Sequence, residues 1–584
     1  MKIKHLFGLA VIAAMTASCS SNEDLGTAGP GTGTNEAGVG YAIFTINLPS
    51  VSGTRAADAG GAEMNEGTEE EYAVKSATAL IFQKYGSDEG SYKFVESVTL
   101  PIDGWKDDPT DGITTTSKKL VAKLTNVDTK NDYSVLILLN NNKTGGGAKV
   151  ELPTAGQSYN DWNSKILTPS VTDLAASGDF YMANAPLKGS ADSPATLVSI
   201  DKNKIYASEA EANKPTNDCA ATVFVERGVA KMTVAAPGTI TVKDKATTKP
   251  TKSQVTFSNW ALDITNKKTY AVHNIDGLSS DFSTIWNTDP SNRFIGTNNR
   301  VYWGKDPNYD KNELKLTDEA VAKRKDEFNF ITATSEINKD FTNTTNTNPV
   351  YCLENTFNLA NMYQGQTTRV IFKATYTPKD DAGNPLADKD GTFYTIGNMK
   401  TILNTDKLKA AVDAVANPVL PTGYTIDYTN FKTEGSHVIT LADIKDSTGT
   451  TLVADNVYSG KTGTEIVKEI NDKLGLKAGR PEEMVGINTY LRGVTYYIAR
   501  VKHFGSLTPW NSGESYGTDN GKYLGRYGML RNNWYELNVG NVYGPGYPGV
   551  PPVDPNQPDD ENEKYLSVSV KILSWAKRSD TVDL

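Results

Sequence analysis

The stretch YAIFTINLP, residues 41–49, reads as one β-strand stopped by a proline. Its even positions, Ala42, Phe44, Ile46 and Leu48, are apolar, while Tyr41, Ile43, Thr45 and Asn47 are mixed. Alternation at period two places one set on one face, the pattern of a half-buried strand. Upstream lies GTAGPGTGTNEAGVG (26–40), a flexible Gly/Thr linker. Downstream, SVSGTRAADAGGAEMNEGTEEEY (50–72) is small, polar and Gly-rich around Arg55. Asp58, Glu63, Glu66, Glu69, Glu70 and Glu71 follow, with no base before Lys75. Such a tail buries too little apolar surface to order itself, and exposed tips of this kind are where proteases cut. Arg55 is the only Lys or Arg between Lys4 and Lys75, so a trypsin-like protease has one conspicuous site here.

The amino terminus sets the destination. Residues 1–19, MKIKHLFGLAVIAAMTASC, combine a basic start with an apolar run from Leu6 to Met15 and small residues before Cys19. The run falls well short of the ~20 residues of a membrane helix, so it reads as an export signal. T-A-S-C at the junction resembles the lipobox of a bacterial lipoprotein, which makes Cys19 the expected lipidation site. Asn22, Glu23 and Asp24 look like an acidic surface-export tag. An acyl chain rather than a helix then holds the precursor to the outer membrane.

Beyond residue 72 the chain reads as mainly β. Short period-2 runs such as YAVKSATALIFQKY (72–85), YKFVESVTLP (92–101), YSVLILLN (133–140), ATVFVERGVAKMTVAA (221–236), RVIFKATYTP (369–378) and VTYYIARVKHF (494–504) are punctuated by Gly, Pro, Asn and Asp. Many short strands punctuated in this way suggest sandwiches. Helices are few: 316–331, 407–416, and KTGTEIVKEINDKLGLK with Thr464 as N-cap and Ile466, Ile470 and Leu474 at helical spacing. At 584 residues the chain exceeds one domain, and the APGTI turn at Ala236–Ile240 is the expected boundary.

The carboxyl terminus carries the second signal. NVYGPGYPGVPPVDPNQPDDENEKY (541–565) holds six prolines and reads as an extended arm projecting from the fold. In YLSVSVKILSWAKRSDTVDL (565–584), Leu566, Val568, Val570 and Ile572 alternate with polar residues, and Trp575 adds a large anchor. Such a strand either folds back onto its own domain or adds to another subunit's sheet.

Little else carries chemistry. The net charge of −10, from 59 basic and 69 acidic residues, argues against nucleic acid. His273, His437 and His503 show no ligand spacing, and DKDG (388–391) and DKNE (310–313) are calcium-loop fragments expected to be turns. Neither a phosphate loop nor a nucleophile elbow is present, so the reading is no enzyme, no cofactor and no metal. Cys219 and Cys352 read as buried free thiols rather than a disulfide.

Taken in order, T-A-S-C, YAIFTINLP followed by S-G-T-R-A, VERGVAKM (225–232), YCLENTF (351–357), LRNNWYELNV (530–539), the Pro/Asp arm and the final LSVSVKILSW resemble a Bacteroidia type V fimbrillin, closest to a minor-fimbria shaft subunit. The resemblance implies two transthyretin-like β-sandwich domains, a signal peptide (1–19), a propeptide (20–55), an amino-terminal domain (56–236), a carboxyl-terminal domain (237–544), and an arm with donor strand (545–584). It also implies lipidation, cleavage between Arg55 and Ala56 by an Arg-specific protease, and polymerisation by strand exchange. In that scheme Phe44, Ile46 and Leu48 mark the displaced strand, and Leu566, Val568, Val570, Ile572 and Trp575 the donor. The partners it implies are further copies of the chain, anchor and tip pilins, the processing protease, and host or bacterial surface receptors. Two rival readings are a tip or accessory adhesive pilin and a monomeric glycan-binding surface lipoprotein.

Overall fold

The computed structural model describes residues 33–35, 38–48, 67–102, 117–128, 130–188, 194–235, 237–278, 301, 303–311, 318–341, 349–397, 401–477, 485–503, 523–551, 553, 557–559 and 566–574. The architecture is mainly β, as expected. A first unit contains strands Gly40–Asn47 (β1), Ala77–Gln83 (β2), Lys93–Leu100 (β3), Ser117–Leu124 (β4), Tyr133–Leu139 (β5), Met182–Asn184 (β6), Val198–Ile200 (β7), Ile205–Tyr206 (β8) and Ala221–Arg227 (β9), with a helical turn Glu69–Tyr72 (α1). Their order is β8-β1-β9-β6-β5-β2-β3, with β4 on the other side of β1 and β7 on β5. The sheet turns a corner at β9, whose first half pairs β1 and whose second half pairs β6. Phe44, Leu80, Phe82, Ile137 and Val223 meet in the core this encloses. Strand β5, YSVLILL, is buried along its whole length, which explains why it reads as a continuous apolar run.

A second core lies between two four-stranded sheets. Strands Ala230–Val234 (β10), Thr239–Lys243 (β11), Pro250–Asp263 (β12), Val350–Cys352 (β13) and Arg369–Thr377 (β14) are followed by an insertion carrying Phe393–Ile396 (β15), Gly435–His437 (β16) and Ile487–Tyr490 (β17); Val494–Arg500 (β18), Asn533–Val542 (β19) and Leu566–Ser574 (β20) complete it. One sheet runs β13-β10-β19-β20 and the other β11-β12-β14-β18. Met232, Trp260, Phe372, Tyr497, Tyr535 and Leu537 fill the space between them. The insertion has its own core, where helices Thr405–Ala416 (α2) and Gly463–Leu474 (α3) bring Leu408, Val412, Ile466 and Ile470 against Ile487. The expected 316–331 helix is confined to Asp318–Glu327. The N-cap of α3 is Thr462, not Thr464: its hydroxyl accepts the Glu465 N–H, and left-handed Gly475 ends the helix.

Two expectations about the chain path change. VERGVAKM is not one strand: the ladder breaks at Gly228–Val229, and β10 pairs β13 and β19 of the second core. A side chain at 228 would bring a Cβ to 2.9 Å from the Tyr181 ring, so the crossing needs glycine. The handover between units therefore falls at 228–229 rather than at 236. The proline arm, over its described residues, does not project. Tyr547 exchanges backbone hydrogen bonds of 2.7 and 2.9 Å with Tyr496, and Arg369 Nη2 donates to the Pro551 carbonyl at 2.6 Å. The Tyr490 and Tyr497 hydroxyls donate to the carbonyls of Gly546 and Gly544 at 2.9 and 2.8 Å. Prolines lack N–H groups but keep carbonyls, and side-chain donors of the body use the carbonyls along this arm.

A buried charged node fastens the two units at their junction. The Glu71 carboxylate accepts from the Thr68 N–H (2.9 Å) and the Tyr351 hydroxyl (2.5 Å), and it pairs with Lys231 Nζ at 2.7 Å. Arg227 Nε donates to the Glu71 carbonyl at 2.8 Å, and Lys231 Nζ sits 3.9 Å over the Trp534 ring. Burial pulls the Lys231 ammonium down to about 8 even beside Glu71. Burial would raise the Glu71 carboxyl, but Lys231 and Tyr351 together leave it below its ordinary value. Glu71 belongs to an acidic run expected to stay unordered; in the structure Glu69–Tyr72 of that run form the helical turn α1. Truncating one member of a buried ion pair leaves the other uncompensated. Glu71→Ala is expected to cost about 3–5 kcal/mol in urea unfolding; a loss below about 1 kcal/mol would show that the node does not hold the junction.

Candidate functional site

Strand β1 is an internal strand whose residues come from far upstream of its neighbours. Along one side it pairs antiparallel with β4, in unbroken register from Gly40↔Leu124 to Asn47↔Ser117. Along the other it pairs antiparallel with β8 at Tyr41 and Ala42, then parallel with β9 from Phe44 to Asn47. The Ala220 N–H donates to the Ile43 carbonyl at 2.8 Å, bridging the gap between those two partners. Asn47 Nδ2 adds a bond to the Val223 carbonyl at 3.2 Å.

Both faces of β1 are covered. Ala42, Phe44 and Ile46 have no exposed surface and Leu48 is 3% exposed, all in the first core. Tyr41 and Ile43, on the opposite face, are also buried and pack with Tyr206 and Ala212. In sequence this face is mixed, and nothing in residues 41–48 alone announces the Glu209–Ala212 turn beside Tyr41 and Ile43; Thr45 and Asn47 on the same face are half-buried. Phe44, Ile46 and Leu48, at roughly 1.5–3 kcal/mol each, contribute on the order of 5–9 kcal/mol of gross burial. Removing the strand would open an apolar groove with unpaired backbone on two sides.

The other half of the expected pair is the terminal strand. It is not loose: β20 lies antiparallel on β19, from Asn533↔Ser574 to Val542↔Leu566, with a bulge near Val539. Leu566, Val568, Val570 and Ile572 stand opposite Val542, Val539, Leu537 and Tyr535. Three of those partners, Tyr535, Leu537 and Val542, are fully buried in the second core. Among the described residues β20 has no second strand beside it, so it is an edge strand. Of the two fates open to such a tail, the single chain adopts the first, folding back on its own domain. Its nine residues match the eight of β1 in length.

Cys19, Arg55, Ala56 and Trp575 lie outside the described residues. The last described residue of the β1 segment is Leu48 and the next is Gly67, so Arg55 falls in the sequence between β1 and the Glu71 node. Cys219 and Cys352 are both free thiols, and burial pushes the Cys352 thiol up to about 12. Cys219 is only half-buried, against the expectation of a buried one. His273 Nδ1 meets Glu226 at 2.8 Å and His503 Nδ1 the Tyr535 hydroxyl at 2.8 Å, both inside the protein. Asp388–Gly391 is a turn, as expected of DKDG.

Residues 488–581 match the family model described as major fimbrial subunit protein type IV, fimbrillin, C-terminal. That span covers β18, β19, the arm and β20. No curated protein sequence is significantly similar to the chain. A solved structure described as a cell adhesion protein from Parabacteroides distasonis aligns over 92% of this chain and 99% of its own, at 10% identity and a TM-score of 0.37. The tip fimbrial protein Mfa3 from Porphyromonas gingivalis, with a C-terminal truncation, aligns over 92% and 100%, at 8% identity and a TM-score of 0.28. A fimbrial assembly protein from Parabacteroides distasonis covers 57% of this chain and 82% of its own, at 13% and 0.26. It is the family match that bears on function: over residues 488–581 the chain is similar to the carboxyl-terminal part of major fimbrial subunits.

Phe44→Ala in the full-length precursor is expected to cost about 3–5 kcal/mol, because it empties the centre of a packed strand. Urea unfolding measures it; a cost near zero would mean that β1 does not fill the first core.

Proposed function

We propose that this chain is a type V fimbrillin and a structural shaft subunit of a cell-surface fimbria, assembled by head-to-tail donor-strand exchange in support of adhesion and biofilm formation. In this reading the precursor is exported as an outer-membrane lipoprotein acylated at Cys19. An Arg-specific protease then cuts between Arg55 and Ala56. The observation that carries the reading is the placement of β1: a strand from upstream of Arg55 is paired on both sides and buried on both faces. While Arg55–Ala56 is intact, β1 is tethered and the first core is complete. Once cut, residues up to Arg55 are held by non-covalent contacts alone, and a departing strand gains chain entropy.

Unassisted departure would expose an apolar groove and two open edges, a state prone to aggregation. Exchange therefore proceeds most readily with an incoming strand pairing as β1 peels away. The terminal strand of another copy supplies the right length and alternation. In its own chain β20 has one ladder, against β19; in a vacated groove it would have two, against β4 and against β8 with β9. A donor at one end and an acceptor at the other make the contact heterologous, so it propagates into a filament. The partners are further copies of the chain, with anchor and tip pilins at the ends and surface receptors beyond. The role is structural rather than enzymatic.

A tip or accessory subunit would need the acceptor groove without a usable donor, whereas this chain carries a nine-residue terminal strand. A monomeric glycan-binding lipoprotein that relied on an aromatic platform would need exposed tryptophans; Trp260, Trp303 and Trp534 are all buried.

Arg55→Ala is expected to leave a folded, full-length monomer on the cell surface, read by the absence of an SDS-resistant ladder. Polymer at the normal rate would overturn protease gating. Deleting residues 565–584 should give subunits that accept a donor but cannot donate, so they cap filaments when mixed with the unmodified chain. Long fibres made from that variant alone would remove 565–584 as the donor.

A further inference from the structure

The site that β1 fills makes uneven demands along its length, and its two faces differ. On the core side Ala42, Phe44 and Ile46 have no exposed surface, so position 42 holds a small side chain in a closed core while 44, 46 and 48 hold large ones. On the opposite side Tyr41 and Ile43 are buried with Tyr206 and Ala212, whereas Thr45 and Asn47 are half-buried. From residue 41 to residue 48 the outer face therefore passes from apolar to polar, and the core face begins with its small position.

Residues 566–575 carry both asymmetries in the opposite order. Leu566, Val568, Val570 and Ile572 are followed on the same alternation by Ser574, the small member of that set. On the other alternation Ser567, Ser569 and Lys571 precede Leu573 and Trp575, so polar gives way to apolar. A segment running in the direction of β1, and filling positions 42, 44 and 46 with aliphatic residues, would put Leu566 or Val568 in the place of Ala42. It would also put Ser567 or Ser569 in the place of Ile43, leaving unfilled volume and a hydroxyl at an apolar position. In the opposite direction one register matches small to small, apolar to apolar and polar to polar. Ser574 then takes the place of Ala42, Leu573 that of Ile43 and Trp575 that of Tyr41. Ile572, Val570 and Val568 replace Phe44, Ile46 and Leu48, and Lys571 and Ser569 replace Thr45 and Asn47. Ser574 adds only a hydroxyl to the Ala42 volume, and a serine hydroxyl can donate to a nearby backbone carbonyl.

We infer that the terminal strand of a neighbouring copy enters the β1 site antiparallel to the strand it replaces, with Ser574 at the Ala42 position. The inference rests on the donor-strand reading above and adds to it a direction and a register. Reversal makes the long ladder with β4 parallel and the shorter one with β9 antiparallel. Parallel pairing is only slightly weaker per residue, so the fit of side chains decides. The adverse contact is Lys571 beside Lys119, the β4 partner of Thr45; Lys119 is exposed, and salt screens such a pair.

The test uses full-length chains assembled into fimbriae on cells. Val121, the β4 partner of Ile43, is changed to Cys in a Cys219→Ser background, because Cys219 packs against the same cluster. Ser567→Cys, Ser569→Cys or Leu573→Cys is then added in three separate variants. Facing cysteines on adjacent strands fall within the separation a disulfide spans. Oxidation is expected to join neighbouring subunits through residue 573, giving a ladder that survives boiling and collapses with reductant. Joining through 567 or 569 instead would overturn the direction and leave the donor reading standing; fimbriae that join through none of the three would overturn both. A second measurement needs no cysteine. Ser574→Leu forces bulk into the closed Ala42 position, so it should lower fimbria yield about tenfold more than Val568→Leu, which returns a leucine to position 48. Both variants are first confirmed as folded monomers in the Arg55→Ala background. Equal yields, or a greater loss from Val568→Leu, would overturn the register.

Discussion

One pairing underlies the rest of the structure: β1 is hydrogen-bonded to β4 on one side and to β8 and β9 on the other, yet it precedes the expected cut at Arg55. A protein whose central strand can be severed from its body has two conditions, one complete and one wanting a strand. Edge strands are usually lost or added without emptying a core. An internal strand buried on both faces is different, because its loss exposes the interior and two rows of backbone groups at once. That difference turns a proteolytic cut into a demand for a replacement.

The carboxyl terminus is arranged to answer such a demand without answering it early. In the single chain β20 rests on β19 as an edge strand, and the arm before it is bonded to the body as far as Asp559 through Tyr490, Tyr496, Tyr497, Arg369 and Met362. If β20 is the donor and the β1 site the acceptor, as proposed, both are occupied within one precursor, which would keep it from pairing prematurely with its neighbours. The price is that a donor must leave β19, and with it Tyr535, Leu537 and Val542, before it can serve. The Glu71 node lies downstream of Arg55, so in the proposed scheme it would stay with the body after cleavage and keep the two units joined.

Much of this was legible in the sequence where a pattern is local. The alternation of 41–48 and of 566–572 identified both strands, and the mainly β class followed from many short period-2 runs. What could not be read was long-range. The burial of Tyr41 and Ile43 depends on a turn some 170 residues later. Glu71 reads as one more solvated acid, and only the Thr68-x-x-Glu71 spacing, a capping-box signature, marks a helical turn there. Prolines favour extended backbone, which predicts a projecting arm; an extended chain with free carbonyls is also well suited to lying against side-chain donors. VERGVAKM looked like one strand because its composition is continuous, while its two halves serve different sheets across Gly228.

The measurement that bears most directly on the central claim is the structure of the assembled fimbria by electron cryomicroscopy, examined in the groove between β4 and β9. The account predicts density there for residues 566–574 of the adjoining subunit, with residues 40–47 absent. Finding residues 40–47 of the same polypeptide still seated in that groove would contradict it.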